Sequence, residues 1–74
     1  MSIIIKSKDE KILFSIICKN SENFLRIEKE LYEQYPEYKN ENNSFIHKGN
    51  KIDKSKTLDE NKIKNNSIIT LIHS

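Results

Sequence analysis

Tryptophan is absent from this chain, and glycine, proline, cysteine and methionine occur once each. Each scarcity excludes something. A lone cysteine, Cys18, cannot form a disulfide within the chain, and a single thiol is the usage of a reducing compartment. A lone glycine, Gly49, rules out a Gly-rich loop cradling a phosphate on its backbone N–H groups. Long apolar runs are missing too. Ile3-Ile4-Ile5 falls far short of a secretory signal core or of the ~20 apolar residues that cross a bilayer. Nor is there an excess of one charge: 13 Lys and Arg face 11 Asp and Glu, a net charge of +2. The two signs are interspersed, so no basic stripe tracks a phosphate backbone. These absences point to a cytoplasmic or nuclear protein that engages neither membrane nor nucleic acid, binds no cofactor and is a monomer.

What is present fits one domain spanning residues 1–74. A chain this short buries only about 60% of the surface its unfolded form exposes, so its stability is expected to be small. Hydrophobic residues at 35% and charged residues at 32% are enough for a folded core. The abundant Lys, Asn and Ile are read as compositional bias of the source.

The chain is punctuated clearly. Ile3-Ile4-Ile5 predicts a central strand covered on at least part of both faces. Lys8 to Lys11 is a polar turn longer than two residues, and Ile12 to Lys19 a second strand. Its alternation places Phe14, Ile16 and Cys18 inward and Leu13 and Ile17 outward. Asn23 is a favoured helix N-cap, and Phe24, Ile27 and Leu31 recur along one helical stripe, with Leu25 and Tyr32 on a partial second one. Glu28, Lys29, Glu30 and Glu33 form the wet side, with Arg26–Glu30 and Lys29–Glu33 at pairing distance. Pro36 stops the helix at or before Tyr35, and Tyr38 to Asn43 reads as a polar connector.

The last part is the most informative. A strand begins at Phe45, and Gly49 marks a turn that needs positive φ before a short strand ending at Ile52. Thr57-Leu58-Asp59-Glu60 has the form of a capping box and predicts one helical turn from Leu58, packed through Leu58 and Ile63. Ser67 to Ile72 is a closing strand. The order is strand, strand, helix, strand, short strand, strand. It predicts an α+β, β-grasp fold with a mixed four- to five-stranded sheet, a crossing helix, and the first and last strands parallel at the centre.

Phe45-Ile46, Gly49, Thr57-Leu58, Ile63 and the alternating last strand resemble, in spacing more than identity, the second half of the ubiquitin-like family. The resemblance extends over nearly the whole chain. It implies a core of Ile3, Ile5, Phe14, Ile16, Cys18, Phe24, Ile27, Leu31, Phe45, Ile52, Leu58, Ile63, Ile69 and Leu71. It also implies a shallow protein-binding patch on the sheet, read by ubiquitin or proteasome-type receptors. Ile46 and Ile72 fall on the central pair of that patch, with Gly49 beside them. Lys8 replaces a leucine and Thr70 a histidine of its rim. The Gly-Gly arm by which conjugated members are activated is not in this sequence, which stops at His73-Ser74. The family's two best-known chain-linking lysines fall on Asn50 and Asn65, while Lys6 and Lys11 match other lysine positions.

Other constellations carry little. Cys18, His47 and His73 lack metal-ligand spacing, with Cys18 expected in the core and His47 half covered at a strand end. Asp9-Glu10 and Asp59-Glu60 lie in turns, and a domain of this size is not expected to enclose a pocket of ~300 Å³. Lys48, Lys51, Lys54 and Lys56 lack the interleaved aromatics of a nucleic-acid site and read as a solvated loop. The expectation is a non-catalytic interaction domain, the N-terminal module of a larger adaptor. Two alternatives are an assembly subunit burying Leu25 and Tyr32, or Leu13 and Ile17, and a modifier lacking its Gly-Gly arm.

Overall fold

The computed structural model of the chain describes residues 1–39 and 42–73. Strands β1 (Ser2–Ser7) and β2 (Leu13–Ile17) precede helix α1 (Phe24–Gln34) and a short 3-10 turn over Pro36–Tyr38. Strands β3 (Asn43–His47), β4 (Asn50–Lys51) and β5 (Ser67–His73) complete the order. The sheet runs β2-β1-β5-β3-β4, with β1 and β5 parallel in the middle and the other pairs antiparallel. This is the expected β-grasp arrangement of an α+β domain. Both central strands are rich in isoleucine, whose branched Cβ suits a pleated surface packed on its neighbours.

The inward rows of the sheet meet the helical stripe Phe24, Ile27 and Leu31, all three fully buried. Phe24 and Phe45 pack edge to face with ring centroids 4.9 Å apart. Of the expected core, only Phe14 is incompletely covered, on the edge strand β2. Ile12 and Tyr38 are additional core residues. Tyr38 therefore does not belong to a polar connector. The 3-10 turn after Pro36 swings its ring inward, while residues 40 and 41 of that connector lie outside the described residues.

Strand β3 starts two residues before Phe45, at Asn43, whose side chain is buried. It is a tolerable burial because Asn43 Nδ2 donates to the Tyr38 carbonyl at 2.8 Å and to the Tyr32 hydroxyl at 2.7 Å. The helix also begins differently in detail. Asn23 occupies the N-cap with extended backbone, but its side chain does not cap. Instead Asn23 Nδ2 donates to Ser55 O, and the Phe24 N–H finds Lys56 O, so the neighbouring segment supplies the acceptor. Arg26 bridges Glu22 at 2.5 Å and Glu30 at 2.8 Å; among the described residues Lys29 and Glu33 form no ion pair.

Two turns are explained by local chemistry. Lys48 and Gly49, at φ +49 and +80, form the two-residue loop between His47 and Asn50, the positive-φ pair that a tight hairpin requires. A Cβ on Gly49 would meet nothing within 4 Å, so its demand is purely conformational. The capping box is present: Thr57 N–H donates to Glu60 Oε1 and Glu60 N–H to Thr57 Oγ1, each at 3.0 Å. The expected single turn follows it, with Asn61 N–H bonding Thr57 O at 3.1 Å. Ile63 N–H bonds Leu58 O and Lys62 N–H bonds Asp59 O, with Lys62 at φ +60, a Schellman closure that stops the chain after one turn. Leu58 and Ile63 are both buried beneath it.

Candidate functional site

Alternation along each strand decides what the sheet shows on the side opposite the helix. In β5 the buried residues are Ile69 and Leu71, so Ile68, Thr70 and Ile72 point outward. Pairing places Thr70 beside Ile46 on β3 and Lys6 on β1, and Ile72 beside Ser44. The Lys8 N–H donates to Leu71 O at 3.0 Å, which carries the first turn alongside the end of β5. Thus the structure brings Ile46, Thr70 and Ile72 onto adjoining strands, with Lys8 in the turn beside the end of β5. Ile46 and Thr70 are half-buried, and Ile72 is exposed. Gly49 lies at the hairpin tip beyond Ile46, where its observed role is to make the turn.

The apolar surface is larger than the expected pair. Ile68 is 56% exposed, and its neighbour on β1 is Ile4, which is half-buried. Farther along the same face, edge strand β2 displays Leu13 and Ile17, whose outward direction was expected. Ile68 and Ile4 could have been found by the same period of two, because Ile4 lies between the core residues Ile3 and Ile5 and Ile68 directly precedes the core residue Ile69. Lys6 and Lys51 stand within this surface, Lys51 directly opposite Ile46. None of the outward positions of the strands carries an acidic residue.

The remaining polar groups are mostly committed elsewhere. Asp9 accepts from Ser7 Oγ at 2.6 Å and from Lys11 N–H at 3.1 Å, and its second oxygen lies 3.1 Å from His73 Nε2. The Ser7 hydroxyl, then His73, hold its carboxyl well below the usual range. This cluster ties the β1–β2 turn to the end of β5. Cys18 is buried in the core, and burial pushes its thiol up, away from the reactive thiolate.

Two expectations about charged residues need correction. Glu28 does not sit on a wet face: it accepts from Lys54 Nζ at 2.7 Å and from the Tyr32 hydroxyl at 2.6 Å. Lys54 also donates to Asn43 O and lies 5.2 Å from the centre of the Phe45 ring. Lys54 therefore leaves the loop cluster, and Tyr32 is turned into this network rather than forming an open stripe with Leu25. Lys48 and Lys51 instead share a cleft of about 710 Å³ with Lys62, Lys64, Asp59 and Glu60. It is an open surface cleft rather than an enclosed pocket, and it mixes both charges.

His47 is more deeply covered than expected, at 7% exposure, in the inward row with Asn43 and Phe45. Its Nε2 has no hydrogen-bond partner among the described residues. Burial, and secondarily Lys48, lowers its pKa. The folded state thus resists a proton that the unfolded chain accepts near pH 6.5. Stability should be level above about pH 6.5 and fall as pH drops below it, by at most about 1.4 kcal/mol per unit. The lowered carboxyls of Asp9, Asp53 and Glu60 act in a different window. Their contribution is present above their unfolded values near 4 and is lost only below that. Urea melts between about pH 6.5 and 4.5 should therefore show a loss that His47→Gln removes. Equal slopes in the two proteins would refute the assignment.

No protein-family model matches this chain, and no curated protein matches it significantly. The fold and the outward rows of the sheet define its class as a β-grasp α+β domain with an apolar, lysine-bearing sheet face. No helix among the described residues is long and apolar enough to cross a membrane.

Proposed function

We propose that this chain is a ubiquitin-like protein-interaction module with no catalytic activity of its own, forming part of a larger cytoplasmic or nuclear adaptor. It docks receptors of the ubiquitin and proteasome type on the outer face of its sheet. The observation that carries this reading is the joining of Ile46, Ile68 and Ile72 across β3 and β5, with Lys6 and Lys51 among them and no carboxylate at the outward strand positions. Such a surface suits a partner segment whose apolar side chains are flanked by Asp or Glu, so that the lysines steer the encounter and fix its register. Covering an aliphatic side chain fully contributes about 1.5–3 kcal/mol, and association entropy leaves micromolar binding.

Titration of the isotope-labelled domain with ubiquitin-binding receptors is the test. Amides of Ile46, Ile68, Thr70 and Ile72 should shift, and Ile72→Ser should weaken binding about tenfold or more. Shifts confined to α1 would rule out the sheet-face model.

A further inference from the structure

Strand β2 is a free sheet edge of unusual composition. Leu13-Phe14-Ser15-Ile16-Ile17 contains no charge and no proline, and its pairing with β1 is unbroken by a bulge. Exposed edges normally carry such features, because unpaired backbone groups template another strand. The direction of those groups follows from the ladder. Met1 and Cys18 exchange both backbone hydrogen bonds, and Ser7 N–H bonds Ile12 O, so even-numbered residues of β2 face β1. Leu13, Ser15 and Ile17 then direct their N–H and C=O groups away from the sheet. Among the described residues, the only bond to any of them is a long one, from the Tyr35 hydroxyl to Leu13 O at 3.4 Å.

We infer that β2 pairs antiparallel with β2 of a second copy about a two-fold axis through Ser15. In that register Ser15 faces its own counterpart, and each Leu13 faces the other copy's Ile17. Leu13 at 68% and Ile17 at 81% are the two most exposed of the large apolar side chains, and both lie on the outer face. The pairing covers both at once and is self-complementary, as an isologous interface must be. It also terminates. The opposite edge, β4, is two residues long and carries Lys51, so the product is a dimer of two five-stranded sheets rather than a fibre.

Area and charge limit its strength. One short strand edge buries well under the ~1,600 Å² of a stable interface. The same register sets Lys11 against Lys19 of the other copy, a like-charge contact at each end. The expected species is a monomer at low concentration and a transient dimer as concentration approaches the millimolar range. The pairing is independent of receptor docking, since Leu13 and Ile17 sit at the β2 edge and Ile46 and Ile72 on the far side of β1.

The experiment is a dilution series of the whole chain from about 1 mM to about 20 µM, followed by amide shifts and sedimentation. The amides of Leu13, Ser15 and Ile17 should shift with concentration, and added salt should strengthen association by screening the lysines. Ile17→Lys should weaken association at least about tenfold while leaving the melting temperature within about 2 °C, because the site is exposed. Three results would overturn the inference. These are no concentration dependence, association unchanged in Ile17→Lys, or association that weakens with salt, which would mean that opposite charges rather than the apolar edge hold the copies together.

Discussion

Replacing Phe24 by alanine should remove a large share of the domain's stability. Phe24 opens α1, is fully buried and packs edge to face on Phe45, so its ring joins helix to sheet. Removing a buried phenylalanine costs about 3–5 kcal/mol, and the aromatic pair adds about 0.5–1.5. A domain of 74 residues holds only about 4–11 kcal/mol in total. The thermal midpoint should fall by at least about 15 °C, with a similar loss in urea. Phe24→Leu, which keeps most of the volume, should cost about 1–2 kcal/mol. A fall of less than about 5 °C for the alanine variant would show that the helix does not depend on this contact.

The second large effect concerns Glu28. Its carboxylate is the shared acceptor of Lys54 Nζ and the Tyr32 hydroxyl, and Tyr32 in turn accepts from Asn43 Nδ2. Burial and the Glu28 bond push the Tyr32 phenol up, so it stays a donor at any ordinary pH. Glu28→Ala leaves the half-buried hydroxyl without its acceptor and Lys54 without its counter-charge, at about 1–3 kcal/mol. Lys54→Met should cost less, because its side chain is 31% exposed against 12% for Glu28, and its stem still covers Phe45. The double variant should be less destabilised than the sum of the two. Strict additivity in denaturant melts would mean that the ion pair contributes nothing.

The two residues of that pair are 26 positions apart, and this separation shows where reading the chain stops. The sequence puts Glu28 on the wet side because the helical period reports only the angle of a residue about the helix axis. It cannot report that the segment after β4 lays a lysine across that angle. Tyr38 and Asn43 were misplaced for the same reason, being polar or amphipathic residues whose burial depends on partners distant in sequence. The limit of the turn after Thr57 to a single turn has a local cause. A capping box specifies a start, and the positive φ of Lys62, which no glycine or asparagine announces, supplies the stop.

What the sequence determined alone is everything governed by a short repeat along the backbone. This includes the strand order, the helical stripe of Phe24, Ile27 and Leu31, the Gly49 turn, and the inward and outward sides of each strand. The tertiary structure alone decided which outward residues become neighbours, joining Ile68 and Ile4 to the Ile46 and Ile72 surface and leaving Leu13 and Ile17 on an open edge. Period fixes which way a side chain faces, but adjacency between strands is set by pairing register, which depends on contacts far apart in the chain.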